Sequence, residues 1–250
     1  MTSENLRSRQ SIKERREKKR RQQRLTVLLA ISGVAFVLIG LAFVPSLWEM
    51  LQPVGKIVVP ELRPRPMADF NAMGDPDAPV VIVGFSDFQC PYCRVFADET
   101  EPLIVQGHVE TGEVYFEYRS LGNFISDNIG RGRTESRDSA EAAYCAGDQN
   151  KFWEYKDIVY ANWLGEDVGS FTPKRLVAFA ETLDLDMEQF RECFEGGKYR
   201  DLVMQDQRDG ASEGINSTPS FLINGKLVVG AQPYSVFLQE IEAAKVASDG

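Results

Sequence analysis

The sequence is poor in the residues that build metal and cofactor sites. It contains one histidine, His108, and four cysteines, of which only Cys90 and Cys93 form a CxxC pair. A zinc site built on CxxC needs a second pair of ligands, and the chain has neither a second CxxC nor an HxxxH motif. The nucleotide motif GxGxxG and the phosphate-loop motif GxxxxGK are absent, and Arg94 after Cys93 excludes the haem motif CxxCH. We therefore predict no metal site and no cofactor.

Positive charge is concentrated in the N-terminal region. Residues 1–45 hold ten Lys or Arg and three Glu, a net charge of +7, so the other 205 residues carry −16 of the chain's total of −9. Phosphate binding needs a cationic surface. So acidic a region disfavours nucleic acid as a partner.

A long apolar run follows the basic residues. Residues 25–44 contain no charge, and 20 helical residues match the thickness of a bilayer core. A buried core helix and a cleaved signal peptide are the alternatives, but the run is long and Phe43-Val44-Pro45-Ser46 offers no small-x-small cleavage site. We predict a transmembrane helix at 25–44 that binds the lipid bilayer, with a cytoplasmic basic segment at 1–24. The protein would then be a single-pass protein of the cell membrane, with the rest of the chain outside the cytoplasm.

The remainder of the chain divides into a linker and one domain. Prolines are dense over 45–75, which predicts an extended linker, of about 70 Å if residues 46–70 were all polyproline-like. From residue 76 to 250 the pattern is α/β. Strands are predicted at 79–85 and 113–119 around a helix at 94–110, and a hairpin at 220–223 and 226–229 turns at Asn224-Gly225 before a helix at 233–246. The segments between them favour helices at 134–147, 150–163, 173–183, 186–195 and 198–213, which form a helical insertion over about 130–213.

The CxxC motif, Cys90-Pro91-Tyr92-Cys93, follows the first predicted strand and begins a helix. The thiolate is the nucleophile in disulfide exchange, and a helix N-terminus favours the anion. Cys90 is therefore the candidate nucleophile and Cys93 the resolving thiol, with Pro91 suited to the first helical turn. Half of a zinc site and an inert disulfide are the alternatives.

Three segments make the chain resemble the DsbA-like branch of thioredoxin-fold disulfide oxidoreductases, of the membrane-anchored bacterial type. They are GDPDAPVVIVGFSDFQCPYC (74–93), AEAAYCAGDQNKFWEYKDIVY (140–160) and GINSTPSFLINGKLVVGAQPY (214–234). The resemblance covers about residues 70–246 and implies a thioredoxin-like fold. It also implies that Pro219 is a cis-proline beside the active site and that Thr218 offers its backbone to an extended substrate. An ordinary trans proline opening a strand is the alternative for Pro219.

The sequence departs from that family at Gly84. Family members commonly carry a buried glutamate six residues before the first cysteine, where it exchanges a proton with the resolving thiol. Asp87 and Glu117 are the candidates for this role here, and we expect an altered pH dependence rather than a loss of activity.

Cys145 and Cys193 form the second pair of cysteines. Outside the cytoplasm an even cysteine count favours a disulfide, and the resemblance to related actinobacterial-type proteins implies one between these two. Two free, buried thiols are the alternative.

Three functions remain open. The first is an oxidase that donates the Cys90-Cys93 disulfide to reduced or unfolded extracytoplasmic proteins. The resemblance implies reoxidation of this oxidase by a membrane quinone reductase of the DsbB or vitamin K epoxide reductase type. The second is a disulfide reductase or isomerase with the same fold. The third is a tethered binding or chaperone module without turnover, which would tolerate Cys90→Ser.

Overall fold

The computed structural model describes residues 53–248, together with Ser32, Gly33 and Gly40, which are helical. The chain divides into two compact units, Met1–Pro53 and Val54–Gly250. The predicted basic segment at 1–24 and, apart from those three residues, the predicted transmembrane helix at 25–44 lie outside the described residues. Among the residues described, none of the helices combines the length and apolar character that a membrane span requires.

A five-stranded mixed sheet forms the centre of the second unit. Its strands in chain order are β1 (Ala72–Met73), β2 (Val80–Ser86), β3 (Val114–Ser120), β4 (Ser220–Ile223) and β5 (Lys226–Val229), and their order across the sheet is β1-β3-β2-β4-β5. Strands β2 and β3 run parallel, whereas the other neighbouring pairs are antiparallel. The strands predicted at 79–85 and 113–119 are shifted by one residue, and both strands of the predicted hairpin have the predicted bounds. β1 was not predicted, because two residues are too few to show the alternation of apolar and polar side chains that indicates a strand.

Helices flank this sheet in the predicted order. The first helix, α1, continues over 91–109 through the α-helical segments Pro91–Val95 and Glu101–Ile104 and the π-helical segments Phe96–Thr100 and Val105–Val109. The other helices are α2 (Phe124–Ile129), α3 (Glu135–Gly147), α4 (Phe152–Ala161), α5 (Pro173–Ala180), α6 (Met187–Glu195), α7 (Arg200–Ser212) and α8 (Tyr234–Ser248). Helices α2 to α7 form the block between β3 and β4. This is the expected α/β arrangement with a helical insertion, except that no helix was predicted at the position of α2.

Aromatic packing fixes α1 against the sheet. The ring centroid of Phe96 on α1 lies 4.4 Å from that of Phe221 on β4 and 5.4 Å from that of Phe237 on α8. Such ring pairs contribute about 0.5–1.5 kcal/mol each beyond the burial of their area. The N-terminal end of α1 is therefore held close to the start of β4.

The second half of the predicted linker lies on the domain instead of extending away from it. The backbone amide of Val58 donates to the side chain of Asn162 at 2.8 Å, and the Asn162 amide nitrogen donates back to the Val58 carbonyl at 2.7 Å. Arg65 is 8% exposed and forms ion pairs with Glu101 and Asp157. Proline density excludes helix, but it does not prevent an extended segment from docking through its backbone and one arginine. The extended linker of about 70 Å predicted from the prolines is therefore not formed by this half of the segment.

Candidate active site

The strand β2, the turn after it and the first turn of α1 place the two cysteines of the CxxC motif. Cys90 is the residue before α1 and has extended backbone angles, while Pro91 occupies the first helical turn. Cys93 lies one turn further along and is 1% exposed, and Cys90 is 3% exposed. Both are free thiols. Tyr92 points outward and is 66% exposed, so it is available for contact with another molecule.

The environment of Cys90 favours its thiolate. A hydrogen bond from the Cys93 thiol is the largest influence on the pKa of Cys90, which is lowered from 9.0 to about 7. Burial opposes this lowering of the pKa. The side chain of Thr218 and the backbone amides of Cys93 and Tyr92 add to it. About half of the Cys90 side chains are therefore ionised near neutral pH.

The environment of Cys93 has the opposite effect. Burial raises the pKa of the Cys93 thiol well above its ordinary value, and the neighbouring Cys90 raises it further. The Ser86 hydroxyl and the Asp87 backbone amide oppose the shift without cancelling it. One thiol of the motif is thus poised to attack, while the other keeps its proton until a reaction changes its surroundings.

Thr218 and Pro219 lie beside Cys90 although they are 128 and 129 residues away along the chain. The Cys90 thiol donates to the backbone carbonyl of Thr218 at 3.4 Å, and the Thr218-Pro219 peptide bond is cis. Pro219 immediately precedes β4, the strand that pairs with β2. Sheet pairing therefore brings the two halves of the sequence-predicted site together.

Cys145 and Cys193 lie elsewhere in the structure. A disulfide joins them, with a Cα–Cα distance of 5.8 Å, and it links α3 to α6 within the helical insertion. A small cavity lies behind Cys93, lined among others by Ser86 and Tyr118, and neither Cys145 nor Cys193 lines it. This bond connects two helices of the insertion and does not belong to the CxxC site.

The position of Gly84 is filled from another strand. The ring of Phe221 lies 3.2 Å from the place where a Cβ atom would stand at Gly84, and the ring of Phe116 lies 3.4 Å from it. The apolar rings occupy the space in which the family's glutamate would lie. The absence of that carboxylate is therefore built into the packing of the sheet.

The two proposed replacements for that carboxylate lie in different places. Asp87 is buried, and its carboxylate accepts from the backbone amides of Gln89 at 2.8 Å and Ile125 at 3.0 Å. Burial raises the pKa of Asp87 to about 6, against the lowering effect of those amides. Glu117 on β3 does not line the cavity behind Cys93, whereas its neighbour Tyr118 does. Successive strand residues face opposite sides of a sheet, so Glu117 lies on the wrong face for this role.

Two charged residues that were not predicted as site residues lie behind Cys93. Lys156 and Glu101 line the same small cavity as Cys93, and both are buried in the interior. They come from α4 and α1, 55 residues apart, and no motif relates them. One signal was present in α4: Lys156 shares a helical face with Trp153 and Tyr160, at spacings of three and four residues, and a lysine within an aromatic stripe is unusual.

The mixed sheet, the helical insertion and the dithiol at the start of α1 define a thioredoxin-fold protein with a redox-type site. The family model described as thioredoxin matches residues 69–243. The chain therefore belongs to the thioredoxin family.

Two solved structures illustrate this likeness. BdbD from Bacillus subtilis, in its oxidised form, superposes with a TM-score of 0.62 at 23% identity, over 74% of this chain and 98% of BdbD. A thioredoxin-like oxidoreductase from Silicibacter pomeroyi gives a TM-score of 0.55 at 26% identity, over 70% of this chain and 91% of the other.

Similar sequences come from two kinds of protein. Probable disulfide bond formation protein D of Bacillus cereus is 28% identical over 165 residues, which are 63% of this chain and 71% of that protein. The Na(+)/H(+) antiporter NhaA 1 of Salinispora arenicola is 31% identical over 156 residues, which are 62% of this chain but 22% of the antiporter. This chain spans between a fifth and about a third of the length of the antiporters it matches.

Proposed function

We propose that this protein is a thiol-disulfide oxidase that transfers the disulfide of Cys90 and Cys93 to reduced or unfolded proteins outside the cytoplasm. The observation that carries the proposal is the opposite shift of the two thiol pKa values, to about 7 for Cys90 and well above the ordinary value for Cys93. A thiol with the lower pKa is the better leaving group in disulfide exchange. Cys90 is therefore the better leaving group when a mixed disulfide with the substrate is broken, and Cys93 opens and closes the internal disulfide.

The exchange proceeds in two steps. A substrate thiolate attacks the sulfur of Cys90, the Cys90-Cys93 bond breaks, and Cys93 leaves as a thiolate that takes up a proton. A second substrate thiolate then attacks the substrate sulfur of the mixed disulfide, and Cys90 leaves as a thiolate. Two electrons pass from the substrate to the enzyme, which ends as the dithiol.

We assign substrate positioning to Thr218 and Pro219. The Thr218 carbonyl lies 3.4 Å from the Cys90 sulfur, and Tyr92, two residues after Cys90, is exposed. An extended peptide that pairs with the backbone at Thr218 would bring its own cysteine next to Cys90. Side-chain identity would matter little in such backbone pairing, which suits a catalyst for many substrates.

The direction of transfer has one competing argument. A Cys90 pKa of about 7 is close to that of thioredoxin, a reductant, and above the value of about 3.5 for DsbA. This favours a reductase or isomerase as the second candidate. The likeness to a probable disulfide bond formation protein supports the oxidase, and we adopt it.

We further propose that residues 25–44 anchor the protein in the cell membrane, with residues 1–24 in the cytoplasm and the thioredoxin-like domain outside. The charge-free run after ten basic residues supports this topology. Reoxidation would come from a membrane quinone reductase of the DsbB or vitamin K epoxide reductase type. An anchored oxidase and a membrane-embedded partner would encounter each other by diffusion within the plane of the membrane.

The deciding measurement is the reduction potential of the Cys90-Cys93 pair in the full-length chain, equilibrated with glutathione buffers. We expect a value between about −180 and −120 mV, the range from protein disulfide isomerase to DsbA. A value near that of thioredoxin, about −270 mV, would contradict the oxidase proposal and support the reductase. Cys90→Ser distinguishes the oxidase and the reductase from a tethered binding module. The substitution abolishes thiol-disulfide exchange, whereas a module that only binds its partner would keep its binding.

A further inference from the structure

A small cavity lies behind Cys93 in the interior of the domain. Its volume is about 10 Å³, close to the space that the centre of one water molecule needs. Its polar and charged lining residues are Cys93, Ser86, Tyr118, Tyr160, Glu101 and Lys156. Four of these come from β2, β3 and α1, and the other two come from α4 of the helical insertion.

Lys156 is buried at considerable cost. Its side chain is 2% exposed, and its ammonium group lies over the rings of Trp153 and Tyr160, at 5.5 and 5.4 Å from their centroids. It donates to Glu101 at 3.0 Å. Replacing a buried ion pair by apolar side chains of similar volume is often neutral or stabilising. Fold stability alone therefore does not account for a lysine at this cavity.

Hydroxyl groups connect the cavity to the Cys93 sulfur. The Ser86 hydroxyl interacts with the Cys93 thiol and lies 3.1 Å from the hydroxyl of Tyr160. The hydroxyl of Tyr118 is buried at the same cavity and has no hydrogen-bond partner among the residues that the structure describes. Buried polar groups are rarely left unpaired, so a water in the cavity is the expected partner of Tyr118. Such a water would also lie between the tyrosine hydroxyls and Lys156.

We propose that Lys156 exchanges the proton of the Cys93 thiol through the hydroxyls of Ser86 and Tyr160 and one water in this cavity. The proposal rests on the thiol-disulfide exchange proposed above. Lys156 does not touch the sulfur, so it is a positioning residue for the proton. It takes the place of the glutamate that Gly84 excludes.

The proton steps balance in both directions. When a substrate thiolate breaks the Cys90-Cys93 bond, the released Cys93 thiolate takes a proton from the Ser86 hydroxyl. Ser86 takes a proton from Tyr160, Tyr160 takes one from the water, and the water takes one from the Lys156 ammonium, which becomes an amine. In reoxidation, the Cys93 proton returns to the amine as the sulfur attacks Cys90 and the bond from Cys90 to the partner breaks. Only the sulfur atoms change oxidation state.

The neighbouring charges favour Lys156 over Glu101 as the exchanging group. Arg65 and Lys156 both donate to the same oxygen of Glu101, at 2.7 and 3.0 Å, so that oxygen is already paired with two cations. Arg65 cannot take part, because a guanidinium group does not lose its proton in proteins. The titratable or charged groups around Lys156 are Glu101 and Cys93 on α1, Tyr118 on β3, Asp157 and Tyr160 on α4, and Arg65 of the N-terminal segment.

Ellman's reagent separates the two thiol steps in the reduced full-length chain. The first thionitrobenzoate released reports attack by Cys90, and the second reports attack by Cys93 on the mixed disulfide. Both rates would be measured from pH 5 to 9. The variants are Lys156→Arg, which keeps the charge but holds its proton, and Tyr160→Phe, which keeps the ring but removes the hydroxyl. Lys151→Met, a half-exposed lysine of the turn before α4, is the matched control.

We expect wild-type rates for the first release in every variant. The second release should slow by about a hundredfold in Lys156→Arg and Tyr160→Phe, the low end of what proton-transfer groups contribute, and its pH profile should change. A second release with the wild-type pH profile in both variants would overturn the relay. Tyr160→Phe alone decides the matter if Lys156→Arg does not fold. A wild-type protein that releases no thionitrobenzoate would instead overturn the proposed function itself.

Discussion

The ring of Phe221 lies 3.2 Å from the point where a Cβ atom would stand at Gly84. These residues are partners across the antiparallel pair of β2 and β4. Contacts as short as this are tighter than a side chain normally makes, so one of the two must move if Gly84 is replaced. The small residue and the large ring therefore belong together in this sheet.

Restoring the family's glutamate through Gly84→Glu should destabilise the protein. Overpacking of a core costs about 1–3 kcal/mol, and a carboxylate placed among Phe221 and Phe116 without a partner adds to that cost. Urea unfolding of the variant and the wild type measures the difference. Gly84→Ala is the control and should lose less, because a methyl group needs only a small movement of the ring. A Gly84→Glu protein as stable as the wild type would show that the rings rearrange freely.

Asp87 should make the free energy of unfolding depend on pH. Its carboxyl has a pKa of about 6 in the folded protein, against an ordinary value of 3.8. Between these two pH values the folded state holds a proton that the unfolded state has lost, so stability falls as pH rises from about 4 to about 6. The shift corresponds to about 3 kcal/mol at most. Urea unfolding at several pH values should show this fall in the wild type and a weaker one in Asp87→Asn.

The N-terminal boundary of the stable domain should lie near residue 54. A fragment that begins at Met67 lacks Arg65, which forms ion pairs with the buried Glu101 and with Asp157. Removing one partner of a buried ion pair costs about 3–5 kcal/mol, because the remaining charge is left without compensation. Thermal unfolding of fragments 54–250 and 67–250 tests this, and Arg65→Met in the longer fragment should reproduce most of the loss. Equal stability of the two fragments would mean that residues 54–66 add nothing.

The Cys145-Cys193 disulfide should stabilise the insertion without affecting exchange. It closes a loop of 48 residues, which corresponds to about 4 kcal/mol in the chain-entropy treatment, an upper figure when the reduced chain keeps some structure. Cys145→Ala/Cys193→Ala should unfold at lower urea concentration than the wild type. The rate of the first thiol step at Cys90 should stay the same. A slower first step would indicate that the bond also holds the active site.

Much of the architecture follows from local sequence signals. The hairpin turn at Asn224-Gly225, the β-branched run of β2 and the spacing of the insertion helices predicted strands and helices to within three residues of their observed bounds. The family resemblance pointed to Thr218 and Pro219, which the structure places next to Cys90. These features depend on contacts between residues close in sequence or on motifs of several residues.

The remaining features depend on contacts between distant segments. Composition described the segment before residue 76 as a linker, because nothing local indicates that Arg65 pairs with Glu101 and Asp157. Asp87 and Glu117 were equal candidates for the lost carboxylate until strand alternation placed Glu117 on the other face. Lys156 was not a candidate at all, since its relation to Cys93 arises only when α4 packs over β2 and β3.

Cys93→Ala should raise the pKa of the Cys90 thiol. The hydrogen bond from the Cys93 thiol is the largest influence that holds the Cys90 pKa at about 7, and alanine removes it. The thiolate absorbance at 240 nm, followed from pH 4 to 10 in the reduced protein, gives the value directly. In the wild type the absorbance should reach half its final value near pH 7, and the midpoint should move upward in the variant. Cys93→Ser is the matched control, because its hydroxyl can still donate, and it should shift the midpoint less. A Cys93→Ala protein that titrates at or below the wild-type midpoint would mean that the helix N-terminus and Thr218, rather than the second cysteine, stabilise the Cys90 thiolate.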